Sequence, residues 1–399
     1  MTAPIPLEHA QARLLDGVKP LGVETLPARD AVGRFLAGPM VAARTQPSAD
    51  LSAMDGYATR ADDPVGPWTV IGESAAGHPF AGELAKGEAI RISTGAHMPP
   101  GETCVLLQEN VARDGDQVTL ANEDGPTTRH IRRKGFDFAE GDMLLPEGTR
   151  VGAAQLALAL TGGCAEMAVG KRPAVAVIDS GDELVAQPDP AKPHALPASN
   201  AAMISAMCHG LVSKAQVLGP VPDQPEALMA AFEAARDADV VVTTGGASVG
   251  DHDLIRPVLE QWGATLDFWR VAIKPGKPLL VARKGAQVVL GLPGNPVSAF
   301  VTAHLFLLPL LRKLGGAASA LPRLHPAYLT QPMPAGGARR EFVRGRWTEG
   351  GVAPISERDS SALRSLAVAD VLIDRPRDAP PAEPGDAVRV IPLEDGGNA

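Results

Sequence analysis

Residues 238–253 read ADVVVTTGGASVGDHD. Three valines are followed by Thr243-Thr244-Gly245-Gly246, then Ser248 and Gly250, and an apolar segment resumes near Leu254. A short unbroken apolar run closed by glycine reads as a strand buried on both faces, the kind found in sheets covered by helices. In such sheets ligands bind at the carboxyl ends of strands, where turn amides and the next helix can hold an anion. Gly245, Gly246 and Ser248 are therefore candidate contacts. The alternative is a plain strand-to-helix turn with Asp253 as the helix cap.

The same grammar recurs on either side. Residues 174–184, AVAVIDSGDEL, run from a buried strand into a glycine turn with the paired acids Asp182 and Glu183. Two carboxylates there can hold Mg2+, or can simply face water. Residues 273–278, IKPGKP, follow Arg270 and set cations in a loop stiffened by proline and glycine. That loop suits a phosphate or another oxyanion, although a solvated turn has the same composition. Residues 291–298, GLPGNPVS, lead into a helix with Pro296 at its start, and Asn295 is either its cap or a ligand contact. Asp223-Gln224-Pro225-Glu226 has capping-box spacing, which stability explains without any function. Strands are expected over 174–178, 214–218, 239–243, 266–271, 279–282 and 288–292, with helices over 201–209, 224–235, 254–262 and from 296. Continuous strands alternating with amphipathic helices predict a parallel or mixed sheet covered on both faces.

Beyond this segment the pattern changes. Leu7, Ala10, Leu14 and Leu15 recur at helical spacing, residues 68–143 read as short strands and turns, and short strands return after Gly315-Gly316. The fold class is a multidomain α/β plus β protein: an extended helical and strand part (residues 1–45 and 141–172), a β domain (46–140), an α/β domain (173–318) and a C-terminal β-barrel-like domain (319–399). In the β domain, SAMDGYATR at 52–60, Ser93-Thr94-Gly95 and Gly135-Phe136-Asp137 read singly as loops.

Composition narrows the function. The chain carries Lys+Arg 37 against Asp+Glu 46, a net charge of −9, which argues against duplex nucleic acid as a partner. Its most apolar segment, 296–314, is interrupted by His304 and Pro309 and reads as a buried core helix, so no membrane partner is expected. The N-terminus lacks a signal-peptide pattern, which points to the cytoplasm. Cys104, Cys164 and Cys208 are isolated and read as reduced thiols, and the histidines show no metal-ligand spacing. With aromatics at 4%, recognition falls to backbone amides, hydroxyls and a few cations rather than to stacking.

Taken together, SAMDGYATR, RISTGAHMPPG (91–101), GFD, SGDEL, ADVVVTTGGASVGDHD, RVAIKPGKP, GLPGNPVSAF and REF (340–342) resemble, in order, the molybdopterin molybdenumtransferases, the MoeA and gephyrin E-domain family. The resemblance spans nearly the whole chain. It implies an elongated homodimer whose cleft is shared between protomers, a molybdopterin-binding three-layer α/β domain, and molybdopterin adenylyltransferase as an upstream partner. It also implies a reaction in which molybdate enters the dithiolene of adenylated molybdopterin, with Mg2+ and release of AMP. Carried onto matching positions, it makes Asp55, Thr94, Asp137, Glu183, Asp223, Arg270 and Lys274 catalytic candidates. Ser180, Gly245, Gly246, Ser248, Asp253, Lys277, Pro293 and Asn295 become cofactor-binding candidates, with Glu183 and Asp223 toward the metal. Ser180 stands where the family typically has threonine, Arg270 where lysine is also seen, and Phe136 where the neighbour of Asp137 is usually polar. A non-catalytic molybdopterin-binding scaffold is the alternative.

Overall fold

The computed structural model describes residues 4–188, 194–245 and 254–393. Gly246, Ser248 and Asp253 lie outside the described residues.

The central sheet has six strands in the order Lys214–Val221, Ala174–Ser180, Val240–Thr244, Gln287–Leu292, Leu280–Lys284, Thr265–Trp269. The first four run parallel, the fifth runs against them, and the sixth, antiparallel to the fifth, returns to their direction, so the sheet is mixed. Alternation along the strands explains their unbroken apolarity. Val175, Val177, Val240, Val242 and Leu290 enter one core with helices Asn200–Met207 and Leu7–Leu15. Ala176, Ile178, Val241 and Val289 enter the other, with helices Pro225–Ala234 and Ile255–Gln261. The chain leaves strand Ala174–Ser180 over one face to its outer neighbour and returns over the other face to strand Val240–Thr244. The topological switch point therefore lies between these two strands, where ligands of doubly wound sheets bind.

Among the described residues one helix, Pro296–Leu314, is long and apolar enough to cross a membrane, and 78% of it is buried inside the protein. It tolerates Pro309 through local compensation. Proline lacks an N–H, which orphans the carbonyl four residues back. Here Ala303–Leu307 forms a π-helical turn, and the buried Gln11 donates through Nε2 to the Leu305 carbonyl at 2.9 Å.

Strands Val23–Pro27 and Glu166–Gly170 pair antiparallel, as do Met40–Val41 and Met143–Leu145, and helix Ala153–Thr161 covers their small core. A second six-stranded sheet has the order Thr103–Leu107, Gly56–Arg60, Glu88–Ile92, Trp68–Ser74, Gln117–Leu120, Val111–Asp114. The C-terminal sheet runs Ile273–Lys274, Arg340–Thr348, Val371–Arg375, Ala387–Pro392, His325–Tyr328. Its first strand comes from the basic loop beside the central sheet: Ile273 and Lys274 pair in parallel with Arg340 and Glu341.

The capping box expected at Asp223 does not form. The helix begins at Pro225 with Gln224 in the cap position and no side-chain capping bond. Asp223 instead turns toward the Gly181 loop, its backbone N–H donating to Asp182 Oδ1 at 3.0 Å. Proline at the first helical position removes one donor that a cap would otherwise serve.

Candidate active site

Three turns meet at the carboxyl end of the parallel strands. Gly245 has φ +91°, and a Cβ there would stand 2.6 Å from the Ser180 carbonyl oxygen, so only glycine fits. A Cβ on Gly294 would lie 3.5 Å from the Gly245 Cα. Asp179, buried at the end of its strand, accepts hydrogen bonds from the Thr244 hydroxyl and from the Ala201 amide, the latter at 3.2 Å. These bonds draw the start of helix Asn200–Met207 onto the sheet end. Ser180 is buried and its Oγ has no partner. Pro293 is buried in the same turn. Asn295 occupies the cap position of its helix without capping it; its Nδ2 donates to Ser360 Oγ at 3.0 Å, and the Val297 amide donates to the Ser360 carbonyl at 3.0 Å. The C-terminal sheet thus delivers a loop to this corner, and Ser360 is a residue that sequence reasoning missed.

The acids form one edge. Gly181 lets the Glu183 carboxylate fold over the turn, since a Cβ there would fall 2.6 Å from Oε2. The Asp223 carboxyl is pushed above the usual range, first by partial burial and then by the charges of Asp182 and Glu183. Among the described residues no three His, Cys, Asp or Glu side chains form a closed metal site. Glu183 and Asp223 stand close enough for their charges to interact, a two-carboxylate donor set of the kind Mg2+ accepts when waters and substrate phosphates complete its shell.

The cations are less bare than the loop sequence suggests. Lys274 Nζ is paired with Glu341 Oε1 at 3.2 Å, and Arg358 Nη1 stands 4.0 Å from the other oxygen of Glu341. Lys277 is exposed. Arg270 takes φ +96°, a left-handed conformation uncommon for a residue with a Cβ and one that concentrates at functional sites. Arg340 forks onto Asp374 at 2.6 and 2.7 Å, so its first task is to join strands.

In the β domain, Asp55 and Thr94 come together. Asp55 Oδ1 accepts the Thr94 amide at 2.7 Å and the Thr94 hydroxyl at 3.0 Å. These two bonds, with the charge of Arg91 behind them, hold the Asp55 carboxyl below its ordinary value. Asp137 is exposed, with its amide donating to the Gln46 carbonyl at 3.0 Å, and Phe136 beside it is 74% exposed. The approach to that loop is set by Asp50, which takes Arg133 Nη1 at 2.6 Å and the Lys134 amide at 2.8 Å. Asp50 was not foreseen, because one acid before a distant basic run carries no local signal. Among the described residues, no hydrogen bond or ion pair links Asp55, Thr94 or Asp137 to the strand-end set within the chain.

Fold and site together define a multidomain α/β protein whose switch point gathers glycine turns and a cluster of acids. The chain belongs to the molybdopterin molybdenumtransferase family. Residues 5–163 match the MoeA N-terminal region, 176–313 a probable molybdopterin binding domain, and 326–393 the MoeA C-terminal region. The molybdopterin molybdenumtransferase of Haemophilus influenzae is 35% identical over 346 residues, covering 86% of this chain and 85% of its own. That of Bacillus subtilis is 32% identical over 404 residues, covering 97% and 94%. The crystal structure of the molybdopterin biosynthesis moeA protein from Pyrococcus horikoshii OT3 superposes with a TM-score of 0.84 at 28% identity, covering 98% of this chain and 100% of that one.

Proposed function

We propose that this protein is a molybdopterin molybdenumtransferase that inserts molybdate into the dithiolene of adenylated molybdopterin, with Mg2+, and releases AMP. The observation that carries the reading is the meeting of the Ser180, Gly245 and Gly294 turns at the switch point, with the acids around the Gly181 turn beside them. The family membership supplies the substrate.

The residues divide the work by charge. The Gly245 turn, with Ser180 and Pro293 around it, holds the pterin side of the substrate; Gly246, Ser248 and Asp253, outside the described residues, carry the same assignment from the family resemblance alone. Lys277, Arg270 and Lys274 neutralise the phosphate, adenylate and molybdate oxygens. Bound Mg2+ supplies charge neutralisation for the departing AMP. Glu183 and Asp223 are the carboxylates that would hold it. Asp55 remains ionised at neutral pH, so it can take a proton from a dithiol S–H as its sulfur binds molybdenum and pass it to the molybdate oxygen that leaves as water, while Thr94 orients it. As the family resemblance implies, Asp55, Thr94 and Asp137 serve the cleft of a second copy, and the working unit is a cytoplasmic homodimer; among the described residues they make no polar contact with the strand-end set of their own chain. Molybdopterin adenylyltransferase is the upstream supplier.

The test is AMP release and formation of active cofactor from purified protein, adenylated molybdopterin, Mg2+ and molybdate. Turnover that requires molybdate is expected. Tight substrate binding with no AMP above a buffer control would leave the scaffold reading in its place.

A further inference from the structure

We infer that Asn200 is a substrate-binding residue of this site, presenting a fixed hydrogen-bond acceptor to a ring N–H of the pterin. The inference rests on the reading above that the pterin lies at the switch point, and it adds a residue and a polarity to it.

Asn200 opens helix Asn200–Met207, which the Asp179 carboxylate pins to the ends of strands Ala174–Ser180 and Val240–Thr244 through the next amide, that of Ala201. Its side chain crosses to the GLPGNP turn and donates through Nδ2 to the Gly294 carbonyl at 2.6 Å. A carbonyl only accepts, so the atom facing Gly294 must be nitrogen and the flipped amide is excluded. That leaves Oδ1 as the remaining acceptor, and it is buried with no partner. The Ser180 hydroxyl, in the turn against Gly245, is likewise buried and unpartnered. A buried polar atom left without a partner is costly, and native proteins rarely keep one without a use. A ligand edge with donors resolves both. The 2-amino-4-oxo edge of a pterin carries adjacent N–H groups, whereas the phosphates and molybdate offer only acceptors and would repel Oδ1. Asn200 therefore selects for the heterocycle and not for the anionic part.

The experiment measures binding of adenylated molybdopterin and, separately, of AMP to the full-length wild type, Asn200→Ala and Asn200→Ser, with thermal unfolding of each. The expected result is adenylated molybdopterin bound about 10-fold or more weakly by both variants, with AMP affinity and the KM for molybdate unchanged. Pterin affinity within twofold of wild type in a folded variant would overturn the inference. So would an equal fall in AMP affinity, which would make Asn200 a brace for the Gly294 turn instead. Should Asn200→Ala fail to fold, Asn200→Ser, which keeps a polar atom and the helix start, decides. A wild type that binds no adenylated molybdopterin would fell the functional reading itself, a result distinct from retention of binding by the variants.

Discussion

The Asp55–Thr94 pair shows how one side chain can set another's protonation. Two hydrogen bonds to Oδ1 favour the carboxylate, so the folded value lies below the unfolded one. Whatever stability this adds is fully present above the ordinary carboxylate value and is lost as pH falls through the lowered one. Thr94→Val removes the hydroxyl bond and keeps the amide bond. The Asp55 carboxyl should then titrate at higher pH, and the acid limb of the pH profile for AMP release should move upward with it. An unmoved limb would separate Asp55 from the proton chemistry. At this scale the sequence shows residue types but not partners. Asp55 and Thr94 are 39 residues apart and meet only because strands Gly56–Arg60 and Glu88–Ile92 pair antiparallel. Ser360 was invisible for the same reason, and Glu341, though inside the REF match, had no role assigned: their relevance depends on a loop and a strand arriving from another sheet.

At the scale of elements, periodicity was a good guide wherever burial is two-sided. The six central strands and their covering helices could be read from apolar runs because each face of the sheet must bury what it carries. Two features resisted. The direction of strands Leu280–Lys284 and Thr265–Trp269 leaves no trace in composition, and the pair Ile273–Lys274 is too short to have a period. Asp223 misled because a local spacing that usually caps a helix was outweighed by contacts around the Gly181 loop. The helix containing Pro309 gives a test of compensation between elements. Gln11→Leu keeps most of the volume but leaves the Leu305 carbonyl buried without a donor. It should cost about 1–3 kcal/mol in urea-induced unfolding and leave the affinity for adenylated molybdopterin unchanged. A neutral effect would mean that the π-helical turn alone satisfies that carbonyl.

For the whole molecule, the division of the site into two sets of residues carries the strongest expectation. On the proposal that the β-domain set serves the cleft of a second copy, the protein should run as a dimer in light scattering at micromolar concentration. Mixing an Asp55→Ala chain with a Lys274→Ala chain, each inactive alone, should restore part of the turnover through mixed dimers. A fully active monomer, or mixtures that stay inactive although the subunits exchange, would place both sets in one chain's cleft. The resemblance implied both the candidate residues and a cleft shared between protomers; composition and periodicity carry no trace of that grouping, because it is a property of distances.

The short strand Ile273–Lys274 has one more implication. It leaves the central domain, pairs with Arg340–Glu341, and carries a candidate catalytic lysine in the pairing itself. The C-terminal sheet therefore cannot be treated as a detachable module. A chain ending after the long helix would lose the ladder that aims Lys274 and would expose the backbone edge that the ladder covers. Such a fragment would be both misaligned at its centre and prone to self-association. Divergence of the C-terminal domain is thus constrained at its first strand even where the rest of that sheet is free to drift.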